Sequence, residues 1–258
     1  MLKRAPATEF PSGLDPRAID ALLWPLLHRY APLCPVALWS TLRAFHAPDE
    51  IRLWQAVEKA FGQRVEAPFY AVPWPGAQAL ACQLLDDQVD VARRKVLDLG
   101  CGGGLSAIAA ALKGASHVLA TDIDPLALSA CRGLAAAHGV DVQTVGFALP
   151  TDLGTASTEE ALLASGLLED VDLILIGDLA YSRALAEALR VTLSLIASRY
   201  PQMQVLLADS GRPYFAQRVA TLPFLRVQRE YTVPVQKALE GCEERVARVY
   251  TVTSDQRV

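Results

Sequence analysis

Short hydrophobic runs alternate with alanine-rich stretches over the middle of the chain, from about residue 90 to residue 209. Each run is followed by apolar residues at helical spacing, as where LSAIAAALKG follows KVLDLG. Strands that alternate with crossover helices predict a parallel sheet, because each helix returns the chain to the same end of the sheet. The predicted strands lie in KVLDLG, HVLATD, DVQTVGF, DLILIG and QVLLAD, which begin at positions 95, 117, 141, 172 and 204.

Two further runs near the end of the chain predict an antiparallel hairpin. LRVQREYTV and ERVARVYTV begin at positions 225 and 244 and flank a polar turn around Glu240 and Gly241. A hairpin of this kind closes one edge of a parallel sheet. The predicted fold class is therefore α/β, with a mostly parallel seven-strand sheet, a C-terminal antiparallel hairpin and helices on both faces.

The first 65 residues have a different pattern. Pro16–Tyr30 and Pro48–Phe61 carry apolar residues at helical spacing, and Asp15 is a candidate N-cap. We therefore predict a helical N-terminal cap over residues 1–65 and an α/β domain over residues 66–258. Thr151–Ser165 interrupts the strand and helix alternation and is predicted to be a surface loop with a short helix.

Composition narrows the class of protein. Hydrophobic residues make up 52% of the 258 residues, but the longest apolar run, Ala107–Leu112, is far shorter than the ~20 residues that span a bilayer. We expect no membrane span. The formal net charge of −4, with no basic run longer than Arg93–Lys95, argues against a nucleic-acid partner.

The cysteines and the N-terminus bear on the compartment. The five cysteines show no CxxC spacing, and the histidines lie too far apart for metal ligands, so we expect free thiols and no metal. The N-terminal residues lack the apolar segment of a secretory signal. Both observations favour a reducing cytoplasm.

A glycine-rich turn carries the first candidate chemistry. Asp98 lies in a buried strand two residues before Gly100, and Gly102 and Gly104 follow in a GxGxG spacing that differs from the dinucleotide pattern. Glycines let the backbone turn tightly and let a ligand approach it. A carboxylate at this position repels a pyrophosphate but suits an ammonium, such as that of S-adenosylmethionine. The alternative is that Asp98 only caps the following turn.

A second acid ends the next predicted strand. Asp122 is placed to accept hydrogen bonds from both hydroxyls of a ribose. Asp124, which directly precedes Pro125, is placed to cap the following helix, because proline suits the first helical position. The alternative is that Asp122 is the cap.

These motifs resemble a known superfamily. LDLGCGGG followed by ATDIDP resembles the class I S-adenosylmethionine-dependent methyltransferases, which have a Rossmann-like seven-strand sheet, and the likeness covers about residues 70–252. Three flanking segments, PFYAVPWPGAQAL from Pro68, IGDLAY from Ile176 and DSGRP from Asp209, are similar to the lysine methyltransferases that act on the β subunit of electron transfer flavoprotein and to their bacterial relatives. Cys34-Pro35 and Trp54-Gln55-Ala56 extend that similarity.

The resemblance implies a set of site residues. The cofactor S-adenosylmethionine would contact nine of them: Trp74, Gly76, Asp98, Gly100, Gly102, Asp122, Ile123, Phe147 and Gly177. Trp74 would stack near the sulfonium, or would be a core aromatic. Asp178 and Tyr181 would be the catalytic residues that face the methyl acceptor, where Asp178 would orient a lysine amine or act as its base. The alternative is that Asp178 caps the helix that begins near Ser182.

Three departures from the family pattern affect the acceptor and the adenine. Ser182 stands where the family has an acid, Ala180 replaces a bulkier residue, and Gly146 to Ala148 offers no carboxylate to the adenine. The resemblance implies an enzyme that methylates protein lysine, with the flavoprotein β subunit as a possible substrate. A small-molecule methyltransferase and a non-catalytic binding module are the alternatives. By analogy, we expect the N-terminal cap to pack over the open edge of the sheet and to help form the acceptor pocket.

Overall fold

Two helices and a small β-hairpin form the N-terminal part of the structure. The computed structural model describes residues 15–151 and 155–252, so the first fourteen residues of the predicted cap lie outside it. The first elements are α1 (Pro16–Tyr30), β1 (Leu33–Val36), β2 (Trp39–Phe45) and α2 (Glu50–Phe61). Asp15 caps α1 as predicted, and its side chain accepts a hydrogen bond from the Arg17 N–H. The antiparallel pair β1 and β2 is an addition to the predicted helical cap, because a four-residue strand is too short to show a clear alternation.

Seven strands form the central sheet and confirm the predicted fold class. In chain order they are β3 (Lys95–Leu99), β4 (His117–Asp122), β5 (Gln143–Gly146), β6 (Leu173–Gly177), β7 (Gln204–Asp209), β8 (Leu225–Pro234) and β9 (Glu244–Val252). Their spatial order is β5-β4-β3-β6-β7-β9-β8. The strands from β3 to β7 are parallel, whereas β9 runs antiparallel to both β7 and β8. The carboxyl ends of the parallel strands and the turn between β8 and β9 therefore meet at one edge.

Helices cover both faces of this sheet, as predicted. The remaining helices are α3 (Pro75–Leu85), α4 (Leu105–Leu112), α5 (Pro125–His138), α6 (Thr155–Ser165), α7 (Arg183–Arg199), α8 (Pro213–Arg218) and α9 (Lys237–Glu240). The first three of these pack together over one hydrophobic core, which they share with the N-terminal elements. Helices α6, α7 and α8 pack over a second core on the other face. The short α9 lies in the turn between β8 and β9.

The N-terminal segment packs on helix α5, and not over the open edge of the sheet as expected. The Trp24 indole N–H donates to the Ser129 carbonyl at 3.0 Å. Asp20 accepts from the Arg132 guanidinium through both carboxylate oxygens, at 2.6 and 3.0 Å. These polar contacts of Asp20 and Trp24 fix α1 against α5. The expectation about the cap's position was wrong for this reason, although β2 does reach the candidate site.

The predicted loop at Thr151–Ser165 is mostly helical. Residues 152–154 lie outside the described residues, and α6 begins at Thr155 and runs for 11 residues. Leu162 is buried in the second core, where α6 packs against α7. The polar composition of this stretch concealed the apolar contact that stabilises the helix.

Within the part of the chain that the structure describes, no helix has the length and apolar character needed to cross a bilayer. In the same residues, no group of three His, Cys, Asp or Glu side chains could hold a metal ion. The five cysteines are free thiols, three of them buried.

Gly104, the N-cap residue of α4, provides a test of the packing beneath the turn. A Cβ on Gly104 would lie 2.4 Å from the Cys131 Sγ, and its φ of +84° is strained for other residues. We expect Gly104→Ala to lower the free energy of unfolding by about 3 kcal/mol in urea titrations. Gly114 is the matched control, since its φ is +82° and nothing lies within 4 Å of a Cβ there. Gly114→Ala should cost only about 1 kcal/mol, and an equal loss in both variants would contradict the packing argument.

Candidate functional site

The glycine-rich turn is held to the neighbouring strand by backbone hydrogen bonds. The N–H groups of Gly100 and Cys101 both donate to the Thr121 carbonyl, at 2.9 and 2.8 Å. Gly100 and Gly102 have positive φ values of +73° and +52°, which glycine adopts without strain. A Cβ on Gly103 would lie 2.4 Å from the Tyr70 carbonyl oxygen, whereas the space beside Gly102 is open. The turn is therefore rigid, tightly packed on one side and open at Gly102.

Asp98 is a buried carboxyl beneath this turn. It is 2% exposed, and its Oδ2 accepts from the Ala107 N–H in the first turn of α4 at 3.0 Å. Burial, together with the nearby Asp122 carboxylate, raises the pKa of Asp98 to about 7, against the lowering effect of the hydrogen bond from the Ala107 N–H. The predicted alternative, a capping role, is thus partly realised. No cationic side chain among the described residues lowers the pKa of Asp98, and a ligand ammonium would supply such a charge.

Asp124, and not Asp122, is the N-cap of α5, as predicted. The Asp124 side chain caps α5 by accepting from the Leu126 N–H at 2.8 Å. Asp122 accepts from the Gly102 N–H at 2.9 Å and from the Asp124 N–H at 3.0 Å. Burial raises the pKa of Asp122. A carboxylate has about four acceptor positions, so about two remain for a ligand such as a ribose.

Two further predicted cofactor residues, Ile123 and Phe147, directly follow strands β4 and β5. Ile123 is 71% exposed directly after β4. Phe147 follows β5, is half-buried, and donates its N–H to the Asp122 carbonyl at 3.0 Å. Both flank Asp122, and they stay predicted cofactor residues.

A narrow cavity lies beside the turn. It is lined by four predicted cofactor residues, Trp74, Gly100, Gly102 and Gly177, and by Tyr70 and the β2 residues Ala44 and Phe45 among others. The Tyr70 hydroxyl is buried and has no hydrogen-bond partner among the described residues. Burial, with the Asp124 carboxylate, holds the pKa of Tyr70 well above its usual value.

S-adenosylmethionine fits this set of residues. Its ammonium would meet the buried Asp98 carboxyl, and its ribose hydroxyls would meet the free acceptor positions of Asp122. An acceptor atom of the same molecule would satisfy the buried Tyr70 hydroxyl, whose orphaned state costs free energy. The open space beside Gly102 leaves the backbone accessible.

Trp74 and Gly76 have partners other than those expected. The Trp74 indole N–H donates to the Phe69 carbonyl at 3.0 Å, and the cation over its ring is the Arg212 guanidinium, 5.2 Å from the ring centroid. Trp74 is half-buried and lines the cavity, so it is not simply a core aromatic. Gly76 is buried behind Asp178, where a Cβ would lie 2.9 Å from the carboxylate. Gly76 thus makes room for Asp178.

Asp178, directly after β6, accepts three hydrogen bonds. Its Oδ2 accepts from the Gly76 N–H at 2.6 Å, and its Oδ1 accepts from the Ser210 N–H at 2.9 Å and the Ser210 hydroxyl at 2.7 Å. The residue is 7% exposed and has a φ of +48°, in the left-handed region. These contacts join the ends of three segments at one carboxylate. One acceptor position remains on it.

The residues after Asp178 explain two departures from the family pattern. The Ser182 hydroxyl caps α7 by accepting from the Leu185 N–H at 3.2 Å, so the alternative that Asp178 caps this helix is wrong. Ala180 is fully buried in the second core, so its small size concerns packing. Tyr181 is 51% exposed at the surface beyond Asp178.

Sequence reasoning missed three residues of this site: Tyr70, Ser210 and Arg212. All three lie in segments that carry the family resemblance, DSGRP and PFYAVPWPGAQAL, so the motifs were an available signal. Their roles depend on distances between separate segments, which one sequence does not contain.

Comparisons with known proteins find methyltransferases that are similar to this chain. Residues 77–202 match the family model described as ribosomal protein L11 methyltransferase (PrmA). The chain is 41% identical over 148 residues to the electron transfer flavoprotein beta subunit lysine methyltransferase of Danio rerio, covering 57% of this chain and 52% of that protein. It is 35% identical over 167 residues to the protein of that name from Rattus norvegicus, covering 65% and 60%. The chain thus spans between half and three fifths of these relatives.

A solved structure of ribosomal protein L11 methylase from Lactobacillus delbrueckii subsp. bulgaricus is 21% identical, with a TM-score of 0.44 over 69% of this chain and 78% of that one. The predicted resemblance to methyltransferases, and to the lysine methyltransferases of the flavoprotein β subunit among them, is confirmed by the family match and the named relatives.

Proposed function

We propose that this chain, whose residues 77–202 match the family model described as ribosomal protein L11 methyltransferase, is an S-adenosylmethionine-dependent N-methyltransferase that acts on lysine side chains of a protein. The relatives named as lysine methyltransferases support the reaction. The structural observation that carries the proposal is Asp178, a buried carboxylate with one open acceptor position, which lies next to Gly177 at the edge of the cavity.

The cofactor residues would divide the cofactor between them. Asp98 would face its ammonium, Asp122 its ribose, and Trp74, Gly100, Gly102 and Gly177 would line its path. S-adenosylmethionine, when bound, supplies a methyl group on a sulfonium. The chain's own contribution is alignment, since an in-line displacement requires the nucleophile and the methyl group to be held in place without water.

The acceptor residues must present a neutral amine. A lysine amine has an unperturbed pKa of about 10.4, and desolvation lowers it. Asp178 would accept a hydrogen bond from the amine on Oδ2 and so orient its lone pair, while Tyr181 would provide a second polar wall. The three donors already on Asp178 suit a fixed acceptor better than a group that carries a proton away. We therefore assign Asp178 an orienting role.

The β subunit of electron transfer flavoprotein is the protein substrate we propose, because the two relatives are named for it. We propose a cytoplasmic location, given the free thiols. The test is incubation of the chain with tritiated S-adenosylmethionine and purified flavoprotein β subunit from the same organism, followed by separation of protein from small molecules. Label on lysine of the β subunit supports the proposal. A second incubation replaces the β subunit with a cell lysate. Label that stays wholly in the small-molecule fraction of that incubation contradicts the proposal and supports a small-molecule methyltransferase.

Tyr70→Phe should separate cofactor binding from folding. The substitution removes only the hydroxyl, whose burial without a partner is unfavourable in the free protein. We expect thermal unfolding of the free variant at or above the wild-type temperature, and cofactor binding about 10-fold weaker by calorimetry. Wild-type affinity in the variant would show that the hydroxyl does not contact the cofactor.

A further inference from the structure

The segment Asp209–Pro213 begins at the last residue of β7, at the edge of the site, and the proposed function gives no role to its Arg212. Asp209 is 3% exposed, and its Oδ1 accepts from the Gly211 and Arg212 N–H groups, both at 2.8 Å. These bonds fix the backbone of the turn. The direction in which the Arg212 side chain leaves the backbone is therefore determined locally.

The Arg212 guanidinium contacts one predicted cofactor residue, Trp74, and one predicted acceptor residue, Asp178. Its Cζ lies 5.2 Å from the centroid of the Trp74 ring, over the face of the indole. Its Nε lies 3.7 Å from the Asp178 Oδ1, the oxygen that Ser210 also holds. The side chain is only 19% exposed. One cation thus contacts a residue that lines the cavity and the residue proposed to orient the acceptor.

Glu240 holds Arg212 in this position from the turn between β8 and β9. The Arg212 Nη atoms donate to both Glu240 oxygens, at 2.8 and 3.2 Å, in a bidentate pair. Glu240 also accepts from the Arg245 Nε at 3.0 Å, and its side chain is 4% exposed. Asp178 and Glu240 balance the two arginines in charge. A buried ionic set of this kind is costly to build unless geometry requires it.

We propose that Arg212 is a positioning residue for methyl transfer, which fixes the Trp74 ring and the Asp178 carboxylate relative to each other, and that Glu240 and Arg245 hold it. The proposal rests on the proposed function for the meaning of Asp178. The planar guanidinium is required because a single group must stack on a ring and form a bidentate pair at once. A lysine at position 212 would keep the charge but lose both geometries.

A second buried arginine provides a matched control. Arg132 forms a bidentate pair with Asp20, with side chains 24% and 16% exposed, and it joins α1 to α5. Arg132→Lys changes the same chemical groups as Arg212→Lys at a place where we assign only a packing role. A loss of stability common to both variants is therefore the structural effect of breaking such a pair.

The first readout does not depend on methyl transfer. Indole N–H signals in nitrogen–proton NMR spectra report the surroundings of each tryptophan, and a Trp74→Phe variant assigns the Trp74 signal. We expect Arg212→Lys to shift or broaden the Trp74 signal, while Arg132→Lys leaves it in place and moves that of Trp24, which bonds to Ser129 beside Asp20. An unchanged Trp74 signal in Arg212→Lys would overturn the proposal.

The second readout is kinetic. We expect Arg212→Lys to lower kcat about 10-fold with a KM for the cofactor within about twofold of wild type, and Arg132→Lys to leave kcat unchanged. A wild-type kcat in Arg212→Lys would overturn the positioning role. If the wild-type chain transfers no methyl group, the proposed function fails, and the NMR result still decides whether Arg212 positions Trp74.

Glu240→Gln is the second variant, for use if Arg212→Lys does not fold. It keeps Arg212 and removes the charge of its bidentate partner. We expect the same direction of change in the Trp74 signal and in kcat, and an absence of both changes would overturn the proposal.

Discussion

Asp98→Asn is expected to weaken the binding of S-adenosylmethionine about 10- to 100-fold at about pH 8, and much less at about pH 5.5. The pKa of Asp98 is raised to about 7 by burial, so the carboxyl of the free protein is neutral in mildly acidic solution and ionised above pH 7. Only the ionised form attracts the ligand ammonium. At low pH the wild-type carboxylic acid and the asparagine amide are both neutral, so the difference in affinity narrows.

The same substitution, which weakens cofactor binding, should stabilise the free protein. The folded-state pKa of Asp98, about 7, lies above the value of about 3.9 in an unfolded chain. The folded protein therefore retains a proton that the unfolded chain has lost, and this group's contribution to the free energy of unfolding falls as pH rises from about 4 to about 7. Asp98→Asn removes that loss, so the free variant should unfold at a higher temperature than wild type at about pH 8.

Asp209→Asn is the matched control for both measurements. Burial also raises the pKa of Asp209 to about 7, and its Oδ2 is buried with no partner among the described residues. This variant should show the same pH-dependent gain in the stability of the free protein. Because Asp209 does not line the cavity, its cofactor affinity by calorimetry should equal that of wild type. Equal losses of affinity in the two variants, or a loss in Asp98→Asn that does not depend on pH, would contradict the role of Asp98.

Asp178→Asn is expected to lower kcat about 100-fold or more with little change in cofactor affinity. Asparagine has the shape of aspartate and tolerates the positive φ at this position, so the backbone should be kept. The amide nitrogen would face either the Gly76 N–H or the Ser210 donors, because both carboxylate oxygens accept from the chain. The variant therefore loses the charge and one buried hydrogen bond.

Ser210→Ala tests how much the fixed position of the Asp178 carboxylate contributes to kcat, apart from its charge. It removes the hydroxyl donor at 2.7 Å and leaves the Ser210 N–H bond and the carboxylate in place. We expect a fall in kcat of about 10-fold or less, with a matching small fall in unfolding temperature. Single-turnover measurements with a labelled acceptor check both variants. An Asp178→Asn protein with wild-type kcat would remove this residue from the acceptor site.

The sequence predicted the central fold because its local patterns agree with the architecture. Each strand from Lys95 to Asp209 ends at the position that the pattern indicates or one residue before it, and Asp15 and Asp124 cap the helices that their proline neighbours mark. The hairpin Leu33–Phe45 was not predicted, and the short helix predicted within Thr151–Ser165 extends over Thr155–Ser165. Both owe their stability to contacts with distant elements, which outweigh local propensity.

The candidate site was predictable to the extent that it lies in motifs. Asp98 and Asp122 were found because each lies at the carboxyl end of a predicted parallel strand, and Asp178 was found through the family resemblance of the segment that begins at Ile176. The partners of Asp178 were not found, since Gly76 and Ser210 lie 102 and 32 residues from it along the chain. The cation over Trp74 was assigned to the cofactor, and in the structure it is Arg212, which no pattern near Trp74 indicates.

The position of the turn between β8 and β9 has a consequence for synthesis of the chain. The glycine-rich turn, Asp98 and Asp122 all belong to neighbouring strands in the first half of the chain, whereas Arg212 is held by Glu240 and Arg245, which come last in order. A growing chain on the ribosome therefore contains Asp98 and Asp122 well before it contains Glu240 and Arg245. Under the proposed function, the full rate of methyl transfer would therefore require the last strand, since Arg245 lies in β9 and holds Glu240 against Arg212.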